Sequence, residues 1–168
     1  MICLLLAHLL SLDSLFKAHL ATGVMDQVFL SRQHAYLVLL AMTLAHWLNH
    51  GLLLAILALP WVLSSVLTLQ QILMITMIWL LFTANLTLIG MFTSALTAAV
   101  QDNSLLLSLL SIPFHLPNLI FSFASYQMVL GLVHGPASLL FLAALFCFYF
   151  AVLPLAAYFA LINSNGSA

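Results

Sequence analysis

The chain has 168 residues, 66% of them hydrophobic and only 3% charged, and its mean hydropathy is +1.29. Ordinary soluble domains cover themselves with charged residues, about a quarter of the chain, and two basic and three acidic side chains cannot do this. A water-soluble enzyme, a disordered tail and a secreted disulfide scaffold are excluded, and at a net charge of −1 there is no basic field for nucleic acid or for an anionic lipid patch. The chain reads as an all-α integral membrane protein, a single polytopic helical bundle. Its spans are helices because the apolar runs are continuous and lack the period-2 alternation of an outer-membrane barrel.

Residues 1–12 are apolar but too short to cross a bilayer, and read as a partial span. No basic residue precedes this stretch and no small-residue cleavage site follows it, so a cleaved signal peptide is not expected. Residues 13–34 hold Asp13, Lys17, Asp26 and Arg32, every charge of the chain except Asp102. At helical spacing Phe16, Leu20, Val24 and Val28 form an apolar row, with Met25 and Phe29 beside it and Lys17, Asp26, Gln27 and Gln33 polar. This amphipathic segment is expected on the membrane surface, broken near Gly23. Lys17 and Arg32 place it in the cytoplasm by the positive-inside rule.

Four full transmembrane helices follow, at about 36–63, 72–100, 104–126 and 137–162. The breaks between them carry turn chemistry: Ser64-Ser65, Gln70-Gln71, the polar residues from Gln101 to Ser104, and the 131–136 turn. Alternation puts the 64–71 turn outside, Asp102 inside, the 131–136 turn outside and the C-terminus in the cytoplasm. Tyr36, Trp61 and Tyr126 at span ends fit an interfacial aromatic belt.

Ionisable groups inside spans are functional candidates by default. His46 and His50 stand four apart near the middle of the first full span with Asn49 alongside, and His115 lies near the middle of the third. They could ligate heme iron or a metal, or act as neutral hydrogen-bonding glue between helices. Pro113 and Pro117 predict a kink or local unwinding of the third span, a feature of substrate paths and also of inert bends. Asn85-Leu86-Thr87 matches a glycosylation triplet that has no meaning inside a span. Cys3 and Cys147 read as small hydrophobes. No phosphate-binding loop, nucleophile arrangement or paired carboxylates occur, so there is no catalytic residue and ATP chemistry must come from a partner.

Leu15-Phe16-Lys17, continuing through Leu20, Gly23 and Gln27 to Ala45-His46-Trp47, resembles the heme exporter protein B family, the permease subunits of the ABC-type complex for cytochrome c maturation. The leucine-rich run 107–121, with Pro113 and Pro117 four apart around His115, resembles the same family. Members are longer and have six spans, with an N-terminal amphipathic helix and first span that this chain lacks; Ala18, His19 and Met42 stand where members carry charged residues. The resemblance implies an ABC transporter permease of the bacterial inner membrane, with no enzyme activity of its own. It implies an ATP-binding cassette subunit, a heme-handling membrane subunit and a heme chaperone as partners, with heme as the handled species and not a firmly bound cofactor. Coupling to the ATP-binding subunit would fall on Leu15, Phe16, Lys17, Leu20, Gly23, Asp26 and Gln27. His46, Trp47, His50, Pro113, His115 and Pro117 would serve heme handling or helix packing. A homodimer is compatible with this reading.

Two other readings stand beside it: a heme-binding redox subunit that uses His46 or His50 with His115, and a non-functional truncated remnant. The topology is directly testable. Single cysteines at Ser31 and Ser167, in a background without Cys3 and Cys147, should label from the same cytoplasmic side, and opposite sidedness would break the four-span reading.

Overall fold

The computed structural model describes residues 35–63, 67–98 and 104–165, and among them every regular element is helical. Helix α1 (Ala35–His46) passes through a five-residue π-helical turn, Trp47–Gly51, into α2 (Leu52–Leu63). Then come α3 (Leu69–Ala98), α4 (Ser104–Val129) and α5 (Ala137–Asn165). These bounds follow the expected spans to within a few residues, because uninterrupted apolar length is the signal that both depend on. Residues 1–34, with the expected partial span and the surface segment, lie outside the described residues.

Among the described residues three helical stretches are long and apolar enough to cross a membrane: Tyr36–Leu57, Leu69–Leu96 and Ala137–Leu161. Helix α4 is 26 residues long and carries His115, Asn118, Ser122 and Ser125. All four are buried, so its polar face is turned into the bundle as intramembrane packing requires.

Helix α3 is the hub. It is apolar around its whole circumference, the pattern of a helix surrounded by others, and Ile75, Ile78, Phe82, Leu86, Ile89, Met91 and Ala95 are all buried. Its first half packs with Val129 at the end of α4 and Leu142 near the start of α5. Further along, Leu88 and Ile89 meet Tyr149 and Leu153, with Phe92 and Phe114 against them. Near its end, Met91 and Ala95 meet Leu39 of α1 and Ala157 and Leu161 of α5. Helix α5 therefore runs parallel to α3, whereas α1 and α4 run antiparallel to it. The threonine hydroxyls along α3 bond back to their own helix: Thr87 donates to the Thr83 carbonyl at 2.9 Å and Thr93 to the Ile89 carbonyl at 3.1 Å.

The helix ends are built from side chains without charges. Thr68 and Gln71 form a reciprocal capping box, the Thr68 amide donating to Gln71 Oε1 at 3.0 Å and the Gln71 amide to Thr68 Oγ1 at 3.4 Å. Gln71, expected in a break, is thus the third residue of α3; its Nε2 also donates to the Val129 carbonyl at 3.1 Å, tying the start of α3 to the end of α4. Helix α4 stops in a Schellman turn, with Leu132 N donating to the Gln127 carbonyl and Gly131 N to the Met128 carbonyl, both at 3.0 Å. Gly131 has φ 76°, a left-handed conformation that glycine adopts without Cβ strain.

Of the kink or local unwinding expected at Pro113 and Pro117, the unwinding is corrected. Helix α4 stays helical through Pro113 and Pro117 instead of unwinding, and the departure from α-helical geometry falls at Trp47–Gly51. Helix α5 also bonds this stretch: the Tyr149 hydroxyl donates to the Phe114 carbonyl at 3.2 Å.

The closest polar tie between α3 and α4 is Asn85 Nδ2 donating to Asn118 Oδ1 at 3.0 Å, with Asn118 Nδ2 donating to the Phe82 carbonyl at 3.3 Å. Asn118→Leu should cost about 1–3 kcal/mol, since it removes both bonds and strands a buried amide. Adding Asn85→Leu should recover part of that loss in a denaturation measured in mixed micelles; full additivity of the two changes would show that the pair is not coupled.

Candidate functional site

The π turn is the local irregularity around which the first span is organised. The Leu52 amide donates to the Trp47 carbonyl, five residues back, and the widened turn brings side chains at i and i+4 closer to vertical register. His46 and His50 accordingly stack, ring centroids 4.4 Å apart and planes 17° from parallel. His46 is buried and His50 is exposed. Imidazole lone pairs lie in the ring plane, and two nearly parallel, offset planes do not aim them at one point. In this arrangement the pair does not form a two-nitrogen chelate.

Trp47 fixes the turn from the other side. Its indole folds over Gly51 so closely that a Cβ at that position would stand 2.5 Å from Trp47 Cδ1, and only a glycine leaves the room. Its Nε1 donates to Thr83 Oγ1 on α3 at 3.2 Å. One turn and more before, the Thr43 hydroxyl donates to the Leu39 carbonyl at 2.7 Å and contacts Met91 Sδ at 2.6 Å. Beside this seam an apolar crevice of about 140 Å³ opens between α1, α3 and α5, with Thr43, Trp47, Thr87 and Phe146 in its wall.

Helix α4 presents His115 and Asn118, both buried, with Pro113 exposed and Pro117 half-buried. Thr83, which receives the first span, and Asn85, which receives α4, are two residues apart on α3. At 100° per residue they point to opposite sides of that helix. The structure thus brings His46, Trp47 and His50 together at the π turn, and His115, Pro113 and Pro117 lie on α4. Among the described residues no group of three or more His, Cys, Asp or Glu side chains converges as a metal site would.

A family model described as CcmB protein matches residues 1–164. The chain belongs to the CcmB family. It is 38% identical to heme exporter protein B of Pseudomonas aeruginosa over 141 residues, covering 84% of this chain and 63% of that protein. It is 39% identical to heme exporter protein B of Bradyrhizobium diazoefficiens over 136 residues, covering 80% and 59%, and 33% identical to that of Paracoccus denitrificans over 166 residues, covering 91% and 70%. The chain spans about three-fifths of the length of the first two relatives.

The expected coupling residues of this CcmB chain, Leu15, Phe16, Lys17, Leu20, Gly23, Asp26 and Gln27, lie outside the described residues. Three residues at the seams were not singled out by sequence reasoning. Asn85, set aside as part of a meaningless triplet, is fully buried and bonds across to α4. Thr83 and Gly51 gave no signal of their own, because each owes its role to Trp47. Asn85 could have been found: an amide in the middle of a long apolar run needs a partner.

Gly51→Ala should force the Trp47 indole off Thr83. In a Trp61→Phe, Trp79→Phe background the Trp47 emission should shift with Gly51→Ala and likewise with Thr83→Val; an unchanged spectrum in Gly51→Ala would contradict the close packing of Trp47 on Gly51.

Proposed function

We propose that the chain is a membrane permease subunit of an ABC-type heme exporter complex that acts in cytochrome c maturation, converting a partner's ATP hydrolysis into movement of its helices. The observation that carries this reading is membership of the CcmB family together with 38% identity to a heme exporter protein B over most of the chain. The chain has no nucleotide-binding loop in its sequence, so the work must enter from an ATP-binding subunit. Its other partners on this reading are a heme-handling membrane subunit and a heme chaperone. Heme is the handled species.

The architecture suits such a role. A central helix with polar seams on opposite faces can hold α4 and α5 as one block while the first span, tied through the Trp47–Thr83 bond at its irregular turn, changes its angle. Helix α4 joins the other three as a fourth span, because its polar residues are turned inward and its 26 residues exceed the bilayer thickness. The bundle then sits in the bacterial inner membrane with residues 13–34 and the C-terminus in the cytoplasm, as Lys17 and Arg32 favour. The segment from Leu15 to Gln27 is the element that the ATP-binding subunit grips. Its apolar row, Phe16 and Leu20 foremost, fills a groove in that subunit in the manner of helix-in-groove recognition, while Lys17 and Asp26 stay at the rim and Gly23 permits the bend.

Phe16→Asp sets a charge in that apolar contact. The variant should insert in the membrane but lose co-purification of the ATPase and fail to restore cytochrome c assembly in a strain that lacks its own heme exporter protein B. Retained ATPase with this variant would refute the coupling role, and loss of the chain from the membrane would assign the segment to anchoring.

A further inference from the structure

Among the described residues of the first span, Leu39, Thr43, His46, Gly51 and Ala55 are buried. Successive members of this set are four, three, five and four residues apart. In a continuous α-helix, at 100° per residue, a five-residue step leaves the second side chain about 140° round the helix from the first. The step from His46 to Gly51 falls on the π turn, which amounts to one residue inserted into an α-helix. That extra residue is what lets both halves of the span face the bundle.

A second stripe on the same span needs no insertion. Leu40, Leu44, Trp47, Gly51 and Ala55 are four, three, four and four residues apart, the spacing that keeps one face of a continuous α-helix. If the π turn closed to an α turn, the half before it would screw by one residue, about 100° of rotation and about 1.5 Å along the axis. Leu40, Leu44 and Trp47 would then take the places of Leu39, Thr43 and His46. All three already line the crevice between α1, α3 and α5, so there is room beside them in which to turn, and the small side chains of Ala41 and Ala45 would follow into the places of Leu40 and Leu44. Three contacts hold the present register: the bond from Trp47 Nε1 to Thr83 Oγ1 at 3.2 Å, the contact of Thr43 Oγ1 with Met91 Sδ, and the close cover of the indole on Gly51. The screw would also carry His46 to the place of Ala45, which is exposed. An imidazole facing lipid is costly, so the present register is the more populated one.

We propose that the π turn Trp47–Gly51 is a two-state register switch, and that closing it to an α turn screws residues 35–46 by one position so that Leu40, Leu44 and Trp47 replace Leu39, Thr43 and His46 against α3. Trp47, bonded to Thr83 and folded over Gly51, is its latch. Because the closed form is longer by one residue's rise, a pull on the span at Ala35 favours it and a push favours the π turn. The switch does not depend on the heme-export reading; under that reading it is the movement that the ATP-binding subunit drives.

The test is thiol crosslinking in the native membrane with a short bis-methanethiosulfonate reagent, in a background with Cys3→Ser and Cys147→Ser. Thr43→Cys with Met91→Cys reports the present register, since these two side chains touch. Leu44→Cys with Met91→Cys reports the screwed register, because Leu44 is now 55% exposed and takes the place of Thr43 only after the screw. Phe121→Cys with Phe141→Cys, whose rings stack between α4 and α5 at 5.1 Å, reports an intact bundle. The Thr43 product should dominate in the unaltered turn. Thr83→Val should raise the ratio of Leu44 to Thr43 product about threefold, as loss of one interhelical hydrogen bond does, and Gly51→Ala should raise it as well, both with the control product unchanged. Deletion of Asn49, exposed in the turn, removes the extra residue and fixes the Thr43 register in a continuous α-helix. It should keep the Thr43 product, hold the Leu44 product at background and make the ratio insensitive to Thr83→Val. An unchanged ratio in Thr83→Val with the control product intact, or a Leu44 product that survives the deletion, would overturn the proposal.

Discussion

A polar group in hydrocarbon has no water to fall back on, and the rest of this structure depends on how the buried amides and hydroxyls meet that constraint. With so few charges, the chain builds its specificity from Thr, Asn, Gln, Tyr and Trp. Leucine packing alone cannot fix register in a membrane, because lipid tails are as apolar as leucine. The bond between Asn85 and Asn118 sets α4 against α3, the Trp47 indole sets the first span against the other face of α3, and the Gln71 amide ties one helix start to another helix end. Each is a point contact that defines depth and rotation where apolar surface defines neither.

From this follows a division within the bundle. Helix α3 is buried on nearly every side and holds α4 and α5 through continuous apolar clusters. The first span is different: it meets α3 and α5 through Leu39, Thr43 and Trp47, and among the described helices it alone contains a π turn. A π turn strains the ladder and often marks a functional position. Under the permease role proposed above, the first span with its irregular turn is the element that would move.

Much of the fold was legible in the sequence, and its limits are physical. The helices lie within a few residues of the apolar runs, since the length needed to cross hydrocarbon is a one-dimensional property. The π turn could not be read, because it rests on Trp47 reaching Thr83, a residue 36 positions away, and on the space left by Gly51. The local cost of the prolines at 113 and 117 was visible in the sequence, but not that α4 continues as one helix through both. At the candidate site, the four-residue spacing of His46 and His50 made their proximity legible, but the stacking of the two rings belongs to the π turn and could not be read from spacing. Asn85 was overlooked because attention went to ionisable groups, and an amide satisfied across a helix interface leaves no local pattern.

The central claim is that α3 is the fixed core of the bundle and the first span its loosest member. Amide hydrogen exchange of the chain reconstituted in lipid tests it most directly. The account predicts the slowest exchange in α3 between Phe82 and Ala95, slower than in α5, and faster exchange at Trp47–Gly51 than in any other described turn of a spanning helix. Exchange at Trp47–Gly51 as slow as in the middle of α3, or a middle of α3 that exchanges as fast as the exposed face of α5, would contradict it.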